Sequence, residues 1–174
     1  MTADTASIRI DAPAQKVFDY IRDPYKMDRW SFGTWQTSIH QDGLVEGRAL
    51  GTGAKILVRI DADPDRMVID YHIGLTSGAL SPRIFARVIP GAVTGHAQDT
   101  ATLTLTALRS AGMDDNRWQG LCRAHAAELD LIKGQIESNH DPRKQLGYKF
   151  SGCAHDANVG VRRPQPCPVR HQPI

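Results

Sequence analysis

Along much of the chain apolar residues recur at every second position. Thr102, Thr104 and Thr106 alternate with Leu103, Leu105 and Ala107, the signature of a strand with one face buried and the other in water. The same period delimits Ser7–Asp11, Trp35–Gln41, Leu44–Leu50, Ala54–Ile60, Met67–Ile73 and Arg83–Ile89, making seven predicted strands with Thr100–Ala107. Gln41-Asp42-Gly43 is a hairpin signal, and Asp61–Arg66 is a turn by composition. Leu44–Leu50 is the weakest strand, because Gly47 interrupts it and Gly51 and Gly53 follow. Two stretches change period. Ala14, Val17, Phe18 and Ile21 share one helical stripe behind Pro13, whose missing N–H and fixed φ suit the first position of a helix. Pro24 ends that helix, and Asp23 caps a second, short one that begins at Pro24. Much later, Trp118, Leu121, Cys122, His125, Leu129, Ile132 and Ile136 recur at steps of three and four, predicting a long amphipathic helix over Arg117–Glu137. Short turns between successive strands favour an antiparallel sheet with the helices on one face, an α+β domain.

The string from Ile8 to Pro24, read as I-x-A-P-A-x-K-V-F-D-Y-I-x-D-P and followed by Arg29-Trp30, resembles the start of the START-related helix-grip superfamily (SRPBCC). That superfamily includes polyketide cyclases, pathogenesis-related allergens and lipid carriers. The resemblance covers roughly Ser7–Ser138. It implies a seven-stranded antiparallel sheet wrapped around the long C-terminal helix, two short helices after the first strand, and a ligand cavity between sheet and helix.

Bulk composition narrows the function classes. The 174 residues suit one domain with a sizeable core. Lys and Arg total 21 against 19 Asp and Glu, with no basic run, so nucleic acid is not an expected partner. No stretch approaches the ~20 apolar residues of a membrane span, and the opening residues lack a signal-peptide core, which points to a cytoplasmic protein. From 139 onward prolines accumulate and apolar residues thin out. The expected organisation is therefore a ligand-binding domain over 1–138 and a Pro-rich extension over 139–174 that adds little stability. Cys122, Cys153 and Cys167 give no disulfide framework. In the extension only Cys167 and His171 have zinc-like spacing, so no metal site is expected. A homodimer is compatible with the sequence.

Pattern also nominates the cavity lining. Trp35, Thr37 and Ile39, then Ile56, Val58 and Ile60, then Tyr71 with its alternates, Ile84 and Leu105 should face inward. Lys55, Arg59, Asp70, Arg83, Arg87, His40 and His72 should face outward, unless a bulge resets the alternation. On the helix His125 is the single titratable group of the stripe, either a core histidine with its hydrogen bonds satisfied or a polar handle on a ligand. Trp30 and Trp35 bracket a segment that the resemblance places near the pocket mouth. The expected ligand-contacting set is thus His125, Trp30, Trp35, Thr37, Tyr71, Trp118, Cys122 and Leu129, with no catalytic assignment and no cofactor. Glu128 and Asp130 fall off the stripe, so the expected lining has no carboxylate. Thin polar equipment suits binding of a small hydrophobic molecule, such as a lipid, polyketide or aromatic metabolite. A cyclase or dehydratase acting in the same cavity is the alternative, since shaping a reactive chain demands few catalytic groups. A protein-interaction module is a third reading. No G-x-S-x-G, H-E-x-x-H, G-x-G-x-x-G or P-loop string occurs.

Overall fold

The computed structural model describes residues 2–139; the extension, with Cys153, Cys167 and His171, lies outside them. Strand β1 (Ala3–Ile10) leads into helix α1 (Ala14–Ile21) and a 3-10 helix, Pro24–Arg29. Six strands follow: β2 (Trp35–Ile39), β3 (Val45–Arg48), β4 (Lys55–Asp63), β5 (Val68–Gly74), β6 (Ser81–Pro90) and β7 (Ala101–Leu108). Helix α2 (Asp115–Ser138) closes the domain. The seven strands form one sheet in the order β1-β7-β6-β5-β4-β3-β2, with every neighbouring pair antiparallel. This is the helix-grip architecture.

Local chemistry accounts for the elements. Ala14, Val17, Phe18 and Ile21 are the buried residues of α1, as the stripe predicts. Pro13 sits one residue earlier than expected, at the cap, with ψ 142°. The Asp23 carboxylate accepts the Tyr25 N–H at 3.0 Å and starts the 3-10 helix at Pro24. Asp114 does the same for α2, accepting the Arg117 N–H at 2.8 Å. In β7 the alternation is complete: Ala101, Leu103, Leu105 and Ala107 are buried. Its threonines face outward, where Thr104 and Thr106 hydrogen-bond Ser7 and Thr5 of β1 across the sheet.

Strand β3 is shorter than its predicted span, and Gly47 has a steric reason to be there. A Cβ at this position would stand 3.0 Å from the Thr34 Cα and 3.1 Å from its carbonyl carbon. Backbone cannot yield as a side-chain tip can. Gly47→Ala should therefore lower the unfolding free energy by about 1–3 kcal/mol, the cost of overpacking. Denaturant titration of the two forms checks this, and an unchanged midpoint would show that the contact relaxes freely.

Long-range hydrogen bonds fasten the C-terminal half of α2. Lys133 Nζ donates to the Arg9 carbonyl at 2.8 Å, Lys16 Nζ to the Ile136 carbonyl at 3.0 Å, and the Asp11 N–H to Glu137 Oε1 at 2.7 Å. Gln135 bridges Tyr20 and the Arg29 carbonyl. Leu129, Ile132 and Ile136 are buried beneath this half, in the main core with Val17, Phe18 and Ile10. The N-terminal half of α2 packs its Trp118 in a smaller cluster with Ala107 and Met113. Between these two anchored regions the helix and the sheet do not close.

Candidate functional site: a cavity beneath α2

The gap is a cavity of about 360 Å³. Its floor comes from β4 to β7 through Val58, Tyr71, Ile84 and Leu105, one wall from Trp30–Thr34, and its roof from Leu121, Ala124, His125 and Glu128 of α2. Most of this surface is apolar, the make-up of a small-molecule site.

Three of the expected ligand-contacting residues line it: Trp30, Tyr71 and His125. The Trp30 and Tyr71 rings meet edge to face, with centroids 6.1 Å apart. Tyr71 presents its ring to the cavity while its hydroxyl donates to the Ile21 carbonyl at 2.8 Å. Burial, with the nearby Glu128 charge, pushes the phenol well above its usual pKa. It stays protonated and tied to backbone, so the ring rather than the hydroxyl is what a ligand would meet.

The other five are placed elsewhere. Trp35 is 47% exposed, because the β2–β3 register shifts between Trp35 and Ser38 and Gln36 adopts φ 51°. That bulge breaks the alternation on which the inward assignment of Trp35 and Thr37 depended, and Thr37 is not part of the lining. Trp118 is enclosed in its own cluster, and Leu129 belongs to the main core. Cys122 packs beside Trp118, and its thiol is pushed up by burial and by Asp4 of β1. It therefore points toward the β1 edge rather than the cavity.

Two residues expected outside the lining are in it. Glu128 is 5% exposed and accepts the Phe32 N–H at 2.7 Å. Burial raises its pKa to about 7, with the Phe32 and Gly33 N–H groups pulling the other way. The carboxyl thus stands near half-protonation at neutral pH. His125 Nε2 lies 4.0 Å from Glu128 Oε2, beyond hydrogen-bond length. Burial lowers the His125 pKa, with Asp4 opposing, so the imidazole is neutral at pH 7. The signal for Glu128 was its spacing: it follows His125 by three and Leu121 by seven, which is one helical face. Arg83 is the second. The β5–β6 register shifts between Tyr71 and His72, pairing Tyr71 with Ile84 and His72 with Pro82. Arg83 is the residue left over, and this bulge turns it onto the cavity.

Buried polar atoms without hydrogen-bond partners gather round this space: Trp30 Nε1, Thr34 Oγ1, Arg83 Nε and His125 Nδ1. Buried polar atoms in folded proteins are mostly hydrogen-bonded, so these four are open to a partner from within the cavity, water or ligand. Among the described residues no three His, Cys, Asp or Glu side chains gather as a metal site requires. No helix there is long and apolar enough to cross a membrane.

Fold and cavity together define a helix-grip ligand-binding protein. Residues 1–132 match the family model described as polyketide cyclase / dehydrase and lipid transport, and the chain belongs to that family. No curated protein matches it. Among solved structures it is similar to the Zhui aromatase/cyclase from a Streptomyces species, at 20% identity and a TM-score of 0.59, covering 79% of this chain and 94% of that one. A START superfamily protein from Mycobacterium smegmatis aligns at 11% identity and a TM-score of 0.56, over 80% and 100%. The di-domain ARO/CYC BexL from the BE-7585A biosynthetic pathway aligns at 21% identity and a TM-score of 0.56, over 79% of this chain. This chain spans 47% of that protein's length. At such identities these likenesses speak for the fold alone.

Proposed function

We propose that the protein binds a small, mostly apolar molecule, of the size of a two- or three-ring aromatic metabolite, in the cavity beneath α2. The observation that carries this reading is the apolar cavity edged by unpartnered polar atoms from Trp30, Thr34 and His125. A ligand carbonyl or hydroxyl would satisfy them while its body fills the rest. Native mass spectrometry of the purified protein tests the reading. A retained mass that organic solvent extracts supports it, whereas an empty protein that takes up no apolar probe refutes it.

One observation favours a second reading, proton transfer on the bound molecule as in a cyclase or dehydratase. Glu128 lines the cavity with a pKa of about 7, where one carboxyl can both give and take a proton at neutral pH. Glu128→Gln, which removes that proton donor and acceptor, separates the two readings. As a carrier the variant should bind within about tenfold of wild type. As an enzyme it should bind equally but lose on the order of 10²-fold in turnover, the scale of one general acid or base. The observable is a binding isotherm set beside single-turnover conversion of the extracted ligand.

A further inference from the structure

We propose that the cavity carries an anion site at its far end, where Arg83 and Arg117 together hold the charged group of an amphipathic ligand whose apolar body lies toward Tyr71 and Glu128. The proposal rests on the cavity-binding reading and deepens it by naming the ligand's charge.

Both guanidinium-bearing residues line the cavity. Arg83 comes from the β6 bulge and Arg117 from the first turn of α2. Arg117 and Glu128 are separated by eleven positions on one helix, on the order of 16 Å along its axis, so the two polar ends of the cavity are distinct. Arg83 Nη2 donates to the Leu108 carbonyl at 3.0 Å, which fixes the head, while its Nε is buried without a partner. Half of its donor fork is therefore held and half is open. Both guanidinium-bearing side chains border the same cavity, and burial together with the charge on Arg117 holds the Arg83 guanidinium below its usual value.

Among the described residues neither Arg83 nor Arg117 has an ion-paired carboxylate. The nearest acidic side chains in sequence are engaged otherwise: Asp115 pairs with Arg109 at 2.7 Å, and Asp114 accepts the Arg117 N–H. Arg117 also stands at a helix N-terminus, where the helix dipole disfavours a cation. Two like charges beside an apolar cavity, one of them against the dipole, are a poor arrangement for stability alone. An incoming carboxylate or phosphate would relieve the repulsion and complete the Arg83 fork with charge-assisted hydrogen bonds.

The test uses two probes of matched shape on the full chain. Anilinonaphthalenesulfonate carries an anion, and N-phenylnaphthylamine is its neutral counterpart. Wild type should bind the sulfonate the more tightly, with a preference that shrinks as salt is raised. Arg117→Gln and Arg83→Gln should each weaken the sulfonate about tenfold or more, the scale of a hydrogen bond to a charged group, and leave the neutral probe within about twofold. The neutral probe reports that a variant is folded, and exposed Arg117 supplies the variant least able to disturb the core. Displacement by naphthoate but not by naphthyl phosphate would assign the anion as a carboxylate, and the reverse as a phosphate. Equal binding of both probes, unchanged by either variant, overturns the anion site and leaves the cavity reading intact. Failure of both probes to bind wild type overturns the cavity reading, and the anion site with it.

Discussion

Glu128→Gln should stabilise the protein relative to wild type above pH 7 and lose that advantage below pH 4.5. The argument starts from the raised pKa. The folded state holds the Glu128 proton with a pKa of about 7 against an ordinary value of 4.5, so it binds that proton more tightly than the unfolded chain does. Linkage then sets the sign: the stabilisation is fully present below the unfolded value and is lost as pH rises through the folded one. A gap of that size corresponds to about 3 kcal/mol, and the side chain is too buried for solvent to screen much of it. Other carboxyl groups titrate over the same range, so the informative quantity is the difference between wild type and variant. Denaturant unfolding of both forms across pH 4 to 8 should show the difference changing by about 3 kcal/mol between 4.5 and 7. A flat difference would mean that Glu128 ionises as it does in the unfolded chain, and that the cavity roof is wetter than described.

Leu129→Ala and Leu121→Ala, eight positions apart on α2, should differ strongly. Leu129 is 2% exposed in the main core, and its truncation leaves a void that the neighbours cannot fill. A loss of about 2–5 kcal/mol is expected. Leu121 is half-buried and already borders the cavity, so its truncation enlarges an existing space and should cost nearer the lower end of that range. Its visible effect should be on ligand fit. Thermal melts with and without the extracted ligand check both statements. Equal losses at the two positions would argue that no open cavity lies beneath Leu121.

The elements were legible because their signals are local. Period-two alternation marked the strands, Pro13, Asp23 and Pro24 bounded the first helices, and a three-four spacing marked α2 to within a turn. The site was legible in part. Tyr71 and His125 line the cavity because each lies on the inward face of its own element, whereas Trp30, at the end of the 3-10 helix, was nominated through the resemblance. Trp118, Cys122 and Leu129 lie on the same helical stripe as His125, yet they meet three different surroundings. A stripe wide enough to cover a core, a strand edge and a cavity does not say which of its residues faces which.

With the helix-grip arrangement implied by the resemblance at Ile8–Pro24, periodicity and capping chemistry mark, from the sequence alone, seven strands and a long helix with His125 on its apolar stripe. Both depend on residues within a few positions of one another. Only the tertiary structure decided that Glu128 and Arg83 belong to the cavity and that Trp35 and Thr37 do not. The roll of α2 about its axis is set by bonds to β1, α1 and the link between them, such as Lys133 to Arg9 and Glu137 to Asp11, more than a hundred residues away in sequence. The bulges at Gln36 and Arg83 are set by how a strand meets its neighbour. One extra residue there turns a side chain from one face of the sheet to the other, and period-two reading carries no mark of where the count slips.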